Sequence, residues 1–91
     1  MEIKKGTNGF YIGDSEDDII AEITYVPTGE DRIIIDHTYV SNELRGQGIA
    51  RKLLDEVANY ARTENKKIIP LCSYAKTQME KHEEYHDLSD W

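Results

Sequence analysis

Apolar residues alternate with polar ones along residues 19–26, where Ile19, Ala21, Ile23 and Tyr25 fall on one face of an extended chain. Residues 32–40 follow with Ile, Thr, Tyr and Val in dense succession, the composition of a strand. Earlier, residues 2–5 and 10–13 read as two short strands around a turn at 6–9 that carries Asn8-Gly9. The polar run 14–18 and the segment 27–31, with Pro27 and Gly29, read as connections. An antiparallel meander of strands follows from this order. At residue 49 the period changes. Ile49, Leu53, Val57 and Tyr60/Ala61 recur at helical spacing, so a helix with one apolar face runs over 49–62 and ends near Asn65, a residue suited to a left-handed cap. Residues 68–72 read as a fifth strand and 74–83 as a short helix capped by Ser73. In the tail, 84–91, the aromatic and apolar members include Tyr85, Leu88 and Trp91, which are expected to pack back onto the domain.

A strand, a helix and a strand in succession require a right-handed crossover, so the strands at 32–40 and 68–72 should lie parallel in one sheet. Pro70 has no N–H for a ladder, which points to an edge, a strand end, or a place where the two strands part. The expected fold is α+β in the α/β class: a mixed sheet with an antiparallel N-terminal meander, a parallel β-α-β unit and a short C-terminal helix. Ninety-one residues are expected to form one domain, 1–91.

The chemistry concentrates where strand gives way to helix. Between Val40 and Ile49 lies Ser41-Asn42-Glu43-Leu44-Arg45-Gly46-Gln47-Gly48. Glycines allow a ligand close to the backbone, and the first turn of a helix offers N–H groups with no partner inside the helix. Those donors and the positive helix end attract an anion, and Arg45 adds a fixed charge. A phosphate-bearing ligand is the natural reading. The run Gly-x-x-x-x-Gly-Lys-Ser/Thr of a P-loop is absent, and a dinucleotide fingerprint is disfavoured because Arg51 stands where its third small residue belongs.

What remains, Arg45-x-x-Gly48-x-Ala50, resembles the Arg/Gln-x-x-Gly-x-Gly/Ala signature of the GNAT superfamily of N-acetyltransferases. The match extends to the apolar strand ending at Val40 and the run Arg51-Lys52-Leu53-Leu54 beyond it. The resemblance implies acetyl-CoA as cofactor, its diphosphate held by Arg45, Gly46, Gln47, Gly48, Ile49, Ala50 and Arg51. It further implies that the pantetheine arm enters a V-shaped opening between the two parallel strands and pairs with backbone near Thr38 and Val40. It covers residues 33–82 and points to a short branch of the superfamily without the last strands that shape the acceptor side. One departure touches the chemistry. Residues 75–81 lie over the family pattern Ala-x-x-Phe-Tyr-Glu-Lys, and the tyrosine that serves as general acid there falls on Met79.

Two residues could make up the loss. Cys72 should stand at the open mouth of the V, where it could protonate the leaving thiolate or carry the acetyl group itself; a buried small hydrophobe is the alternative. His37, as a histidine, could deprotonate an amine, although it alternates with Ile35 and Tyr39 and so could be a packed residue of the sheet. Tyr74 and Tyr85 are further proton donors, and His82 and His86, spaced i, i+4, bring no zinc motif with them. No metal is expected. The activity implied is acetyl transfer to an amine, small-molecule or protein, and the alternative is a non-catalytic acyl-CoA-binding or interaction domain.

Composition narrows the partners. A net charge of −7 argues against nucleic acid, whose binding depends on neutralising phosphates. A charged fraction of 32% against 38% hydrophobic leaves enough clustered apolar residues for a folded core. A single cysteine, no charged-then-apolar leader and no long apolar run give the expectation of a cytoplasmic protein without membrane contact. Oligomeric state stays open, since a partner subunit could complete the acceptor side.

Overall fold

In the strand that spans the middle of the meander, Ala21, Ile23 and Tyr25 are buried while Ile20 and Val26 are exposed, so one face rests on a core and the other does not. The structure, a computed structural model, describes residues 2–89. Trp91, one of the tail residues expected to pack back, lies outside them. The strands are β1 (Lys4–Lys5), β2 (Gly9–Gly13), β3 (Ile19–Thr28), β4 (Arg32–Val40) and β5 (Lys67–Pro70), and the α-helices are α1 (Ile49–Thr63) and α2 (Ser73–Lys81). Single 3₁₀ segments occupy Asn42–Leu44 and Glu83–Leu88. The sheet order is β1-β2-β3-β4-β5, antiparallel up to β4, with β5 parallel to β4. That is the mixed architecture expected.

Most boundaries shift by one or two residues from expectation, β1 keeping only Lys4–Lys5 of the expected 2–5 and α2 ending at Lys81, and three of the shifts have a direct physical reason. β3 runs through Pro27 to Thr28, because its last residues extend beyond β2 and only β4 lies alongside, so the missing N–H disturbs no ladder there. β5 stops at Pro70, and the amides of Leu71 and Cys72 both turn onto the Ile35 carbonyl, at 3.0 and 3.1 Å. Ser73 is the first residue of α2 and Cys72 its N-cap.

β4 also carries a bulge. Tyr25 pairs with Ile35 but Thr24 pairs with His37, leaving Asp36 as an extra residue. Side chains therefore change parity within one strand. Ile33 and Ile35 face the core before the bulge; Thr38 and Val40, opposite buried Ile23 and Ala21, face the same way after it.

α1 covers that face with Leu53, Leu54, Val57 and Ala61, all without solvent exposure. It ends as its sequence requires. Asn65 takes φ 57°, the Lys66 amide reaches back to the Ala61 carbonyl at 2.8 Å and the Asn65 amide to Arg62 at 3.3 Å, which satisfies two carbonyls of the last turn. α2 adds Ala75 and Met79 to the core, and the final 3₁₀ segment adds Tyr85 and Leu88. Arg62 holds that segment through Asp87 at 3.2 Å, and Lys67 Nζ donates to the Asp87 carbonyl at 2.5 Å. No helix among the described residues is long and apolar enough to cross a membrane.

Candidate functional site

Where β5 turns away after Pro70, residues 36–40 of β4 lose their parallel neighbour. The Ser41 amide donates to Ile20 of β3 at 2.9 Å, so by alternation Tyr39 and His37 direct their backbone groups to β3. Those of Thr38 and Val40 then face the edge that β5 has vacated. The bulge at Asp36 produces this: without it, His37 and Tyr39 would face outward there.

Next to this edge the chain makes one 3₁₀ turn, anchored by buried Leu44, and passes through Gly46 (φ 84°) and Gly48 (φ 72°) into α1. Both conformations lie in the left-handed region, and a Cβ at either position would meet nothing within 4 Å. Gly48 is the N-cap of α1 and no side chain caps it, so the amides at the start of the helix remain for a ligand. A cavity of about 240 Å³ opens there, lined by Val40, Leu44, Arg45, Gly46, Gly48, Ile49, Ala50, Arg51 and Tyr74. Its lining carries two arginines and no carboxylate, in a chain of net charge −7. An anion with an apolar portion fits such a surface.

Seven of the expected cofactor contacts line this cavity: Val40, Arg45, Gly46, Gly48, Ile49, Ala50 and Arg51. Thr38 and Gln47 do not. Thr38 sits two residues back on the vacated edge, and Gln47 donates its side-chain Nε2 to the Glu43 carbonyl at 3.4 Å. Arg45 Nε donates to the Val40 carbonyl at 3.4 Å, tying the loop to the end of β4. Leu44 was not among the expected contacts, and Tyr74 was considered only as a proton donor. Their signals are faint: an apolar residue inside a polar loop, and an aromatic at the start of a helix.

The Cys72 sulphur lies 3.5 Å from Thr38 Oγ1, where the two strands separate. Burial pushes its pKa up, but the Ala75 amide, the Thr38 hydroxyl and the Tyr74 amide outweigh that, and the net shift is downward. Burial keeps the Tyr74 phenol above its usual range. His37 lies on the other face of the sheet, exposed, with Nε2 4.0 Å from Glu22 Oε2. Beside it the Thr24 hydroxyl donates to Asp36 at 2.7 Å. Cys72 and His37 therefore flank the strand opening from opposite faces and do not touch. Met79 is fully buried in α2.

Arg51 is occupied behind the cavity. Its guanidinium donates to the Tyr85 hydroxyl and to Glu84, lies 3.3 Å from His82 Nε2, and stands 3.9 Å from Asp55. Tyr85 donates its own proton to Asp55. Burial, then Arg51 and Lys81, hold the His82 pKa down. His86 faces the Glu80 carbonyl at 3.3 Å instead, so the two histidines serve different neighbours.

The profile of GCN5-related N-acetyl-transferases matches residues 9–88. The solution structure of a GCN5-like protein from Staphylococcus aureus is 52% identical, covers 98% of this chain and 87% of its own, and superposes with a TM-score of 0.84. A GNAT-family acetyltransferase from Elizabethkingia anophelis, crystallised with acetyl-CoA bound, shares the fold at TM-score 0.59 and 19% identity, over 84% of this chain and 50% of its own. So does a ribosomal-protein-alanine N-acetyltransferase from Brucella melitensis, at TM-score 0.57 and 21% identity, over 79% of this chain and 59% of its own. No curated protein matches the chain.

Proposed function

Because this chain belongs to the family of GCN5-related N-acetyltransferases, we propose that it moves the acetyl group of acetyl-CoA onto an amine, and that residues 1–91 act as one catalytic domain in the cytoplasm. The observation that carries the cofactor assignment is the cavity at the start of α1, cationic, free of carboxylates and floored by uncapped amides. There the backbone from Gly46 through Arg51, with Gln47 at the rim, and the Arg45 guanidinium hold a diphosphate. Thr38 and Val40 offer backbone groups to the amide-bearing arm along the vacated edge of β4. Bound in this way, acetyl-CoA supplies an activated acyl group whose carbonyl accepts a nucleophile as its C–S bond breaks.

Amine attack requires a neutral nitrogen, and the departing thiolate requires a proton. His37, facing the open side of the sheet with Glu22 beside it, accepts the amine's proton. Met79 has no proton to give and is enclosed by the core. Cys72 supplies the sulphur chemistry in its stead. Its S–H either passes a proton to the leaving thiolate, or its thiolate attacks the carbonyl, takes the acetyl group and yields it to the amine in a second step. The lowered pKa of Cys72 supports both routes. The acceptor is an amine-bearing small molecule or protein that approaches the exposed face of His37.

Release of free CoA in the presence of a panel of amines tests the reading. Wild type is expected to release CoA with at least one acceptor, and Cys72→Ala to slow it roughly 100-fold, the scale of a lost acid or nucleophile. Intact-mass analysis after acetyl-CoA alone separates the routes, since only the covalent one adds an acetyl group at Cys72. Release no faster than the buffer blank with every amine would identify a binding domain instead of an enzyme.

A further inference from the structure

Arg51 belongs both to the cavity at the start of α1 and to the contacts that hold the C-terminal segment. Its guanidinium donates there to Tyr85 and Glu84. Those two partners are unequal. Tyr85 is buried and has a second anchor in Asp55, and the segment is further fixed by Arg62 on Asp87 and by Lys67 on the Asp87 carbonyl. The Glu84 carboxylate, 58% exposed, pairs with Arg51 alone among the described residues, while the Glu84 carbonyl accepts from Arg62 at 2.5 Å. An ion pair so exposed is weak and easily exchanged. A diphosphate, with two adjacent anionic groups, presents the guanidinium fork with more negative charge than one carboxylate does.

We propose that Glu84 is a built-in competitor for the cofactor: it occupies the Arg51 guanidinium in the free protein and yields it to a phosphate of acetyl-CoA. The inference rests on the cofactor assignment made above. Arg51 keeps its bond to Tyr85 and the Arg62 guanidinium keeps the Glu84 carbonyl at 2.5 Å, so the exchange frees the Glu84 carboxylate alone and leaves the segment docked. Cofactor loading is thereby linked to the Arg51–Glu84 pair, and by reciprocity whatever strengthens that pair weakens cofactor binding to the same degree. Glu84 thus sets affinity without touching the reacting atoms.

Calorimetric titration with acetyl-CoA at low salt tests this in wild type, Glu84→Gln, Glu83→Gln and Arg51→Gln, together with the double variant of Arg51 and Glu84. Glu84→Gln is expected to bind about two- to fivefold more tightly, the range of a surface ion pair, and the gain should shrink at high salt. Glu83→Gln makes the same change in net charge one residue away and is expected to bind as wild type does. Arg51→Gln should bind more weakly, and in its background Glu84→Gln should add nothing. Unchanged affinity in Glu84→Gln, an equal gain in Glu83→Gln, or a gain that survives the loss of Arg51 would each overturn the proposal while leaving the cofactor assignment in place. Absence of binding by wild type would remove both.

Discussion

Thr38 and Cys72 approach to 3.5 Å between hydroxyl and sulphur, joining the far half of β4 to the N-cap of α2 across the gap where β5 has ended. One residue belongs to the edge proposed for the cofactor arm and the other to the proposed chemistry. The contact also helps to hold the thiol below its ordinary pKa, against burial. Thr38→Val keeps the shape and removes the oxygen. Its Cys72 should then titrate at higher pH than that of wild type. The rate of alkylation by iodoacetamide, followed against pH, reads this directly; identical midpoints would show that Thr38 does not tune the thiol.

Gly48 at φ 72° has open space around the position of a Cβ, so substitution strains only the backbone. Gly48→Ala should cost about 1–2 kcal/mol of stability, the price of a left-handed alanine. The chain should remain folded at 25 °C and yet bind acetyl-CoA more weakly, because the added methyl stands at the cavity lining. Urea unfolding and calorimetry separate the two effects. Full affinity in a folded Gly48→Ala would mean that close backbone approach is not needed there.

Tyr85 connects Arg51 and Asp55, and burial together with the Asp55 hydrogen bond lifts its pKa from 10.0 to about 12. The folded state thus favours the neutral phenol more strongly than the unfolded chain does. That contribution is complete below pH 10 and is lost as pH rises through 12. Tyr85→Phe should cost about 1 kcal/mol at neutral pH, the scale of a net hydrogen bond. Its deficit relative to wild type should shrink between pH 10 and 12 in urea unfolding series. A deficit that stays constant over that window would show that Tyr85 titrates as a free phenol.

The Lys5 ammonium lies 5.9, 6.0 and 5.5 Å from the ring centroids of Phe10, Tyr25 and Tyr60. This pins the short first strand over the aromatic cluster. Lys5→Met keeps the apolar stem and removes the charge, which should cost about 0.5–1 kcal/mol and lower Tm by about 2–8 °C. An unaltered Tm in low salt would mean that the ammonium is held by the stem alone.

The strands, the loop and α1 were legible because their signals are local: alternation at 19–25, helical spacing from Ile49, and an asparagine at the cap that adopts φ 57°. The bulge at Asp36 was not. Three consecutive isoleucines fit either parity of a strand, and a bulge here announces itself by no glycine or proline. His37 consequently read as sharing a face with Ile35, whereas the extra residue sends it to the opposite, exposed one. Cys72 read as the end of a strand because cysteine is not a common N-cap. The 3₁₀ turn at Glu83–Leu88 escaped notice for a related reason. Tyr85 and Leu88 are three apart, a spacing that a 3₁₀ segment stacks on one side but that is too short to establish an α-helical period. Apart from Asp55 at i+4, the partners of Arg51 stand 31 to 34 residues away and leave no pattern near Arg51 itself.

Backbone amide NMR during titration with acetyl-CoA addresses the cofactor site most directly. Shifts are expected to be largest from Gly46 to Arg51, with a second group at Thr38, Val40 and Cys72, and small changes in β1 and β2. Saturating acetyl-CoA that leaves the amides of 46–51 unmoved, or that shifts another surface first, would contradict the placement of the diphosphate at the start of α1.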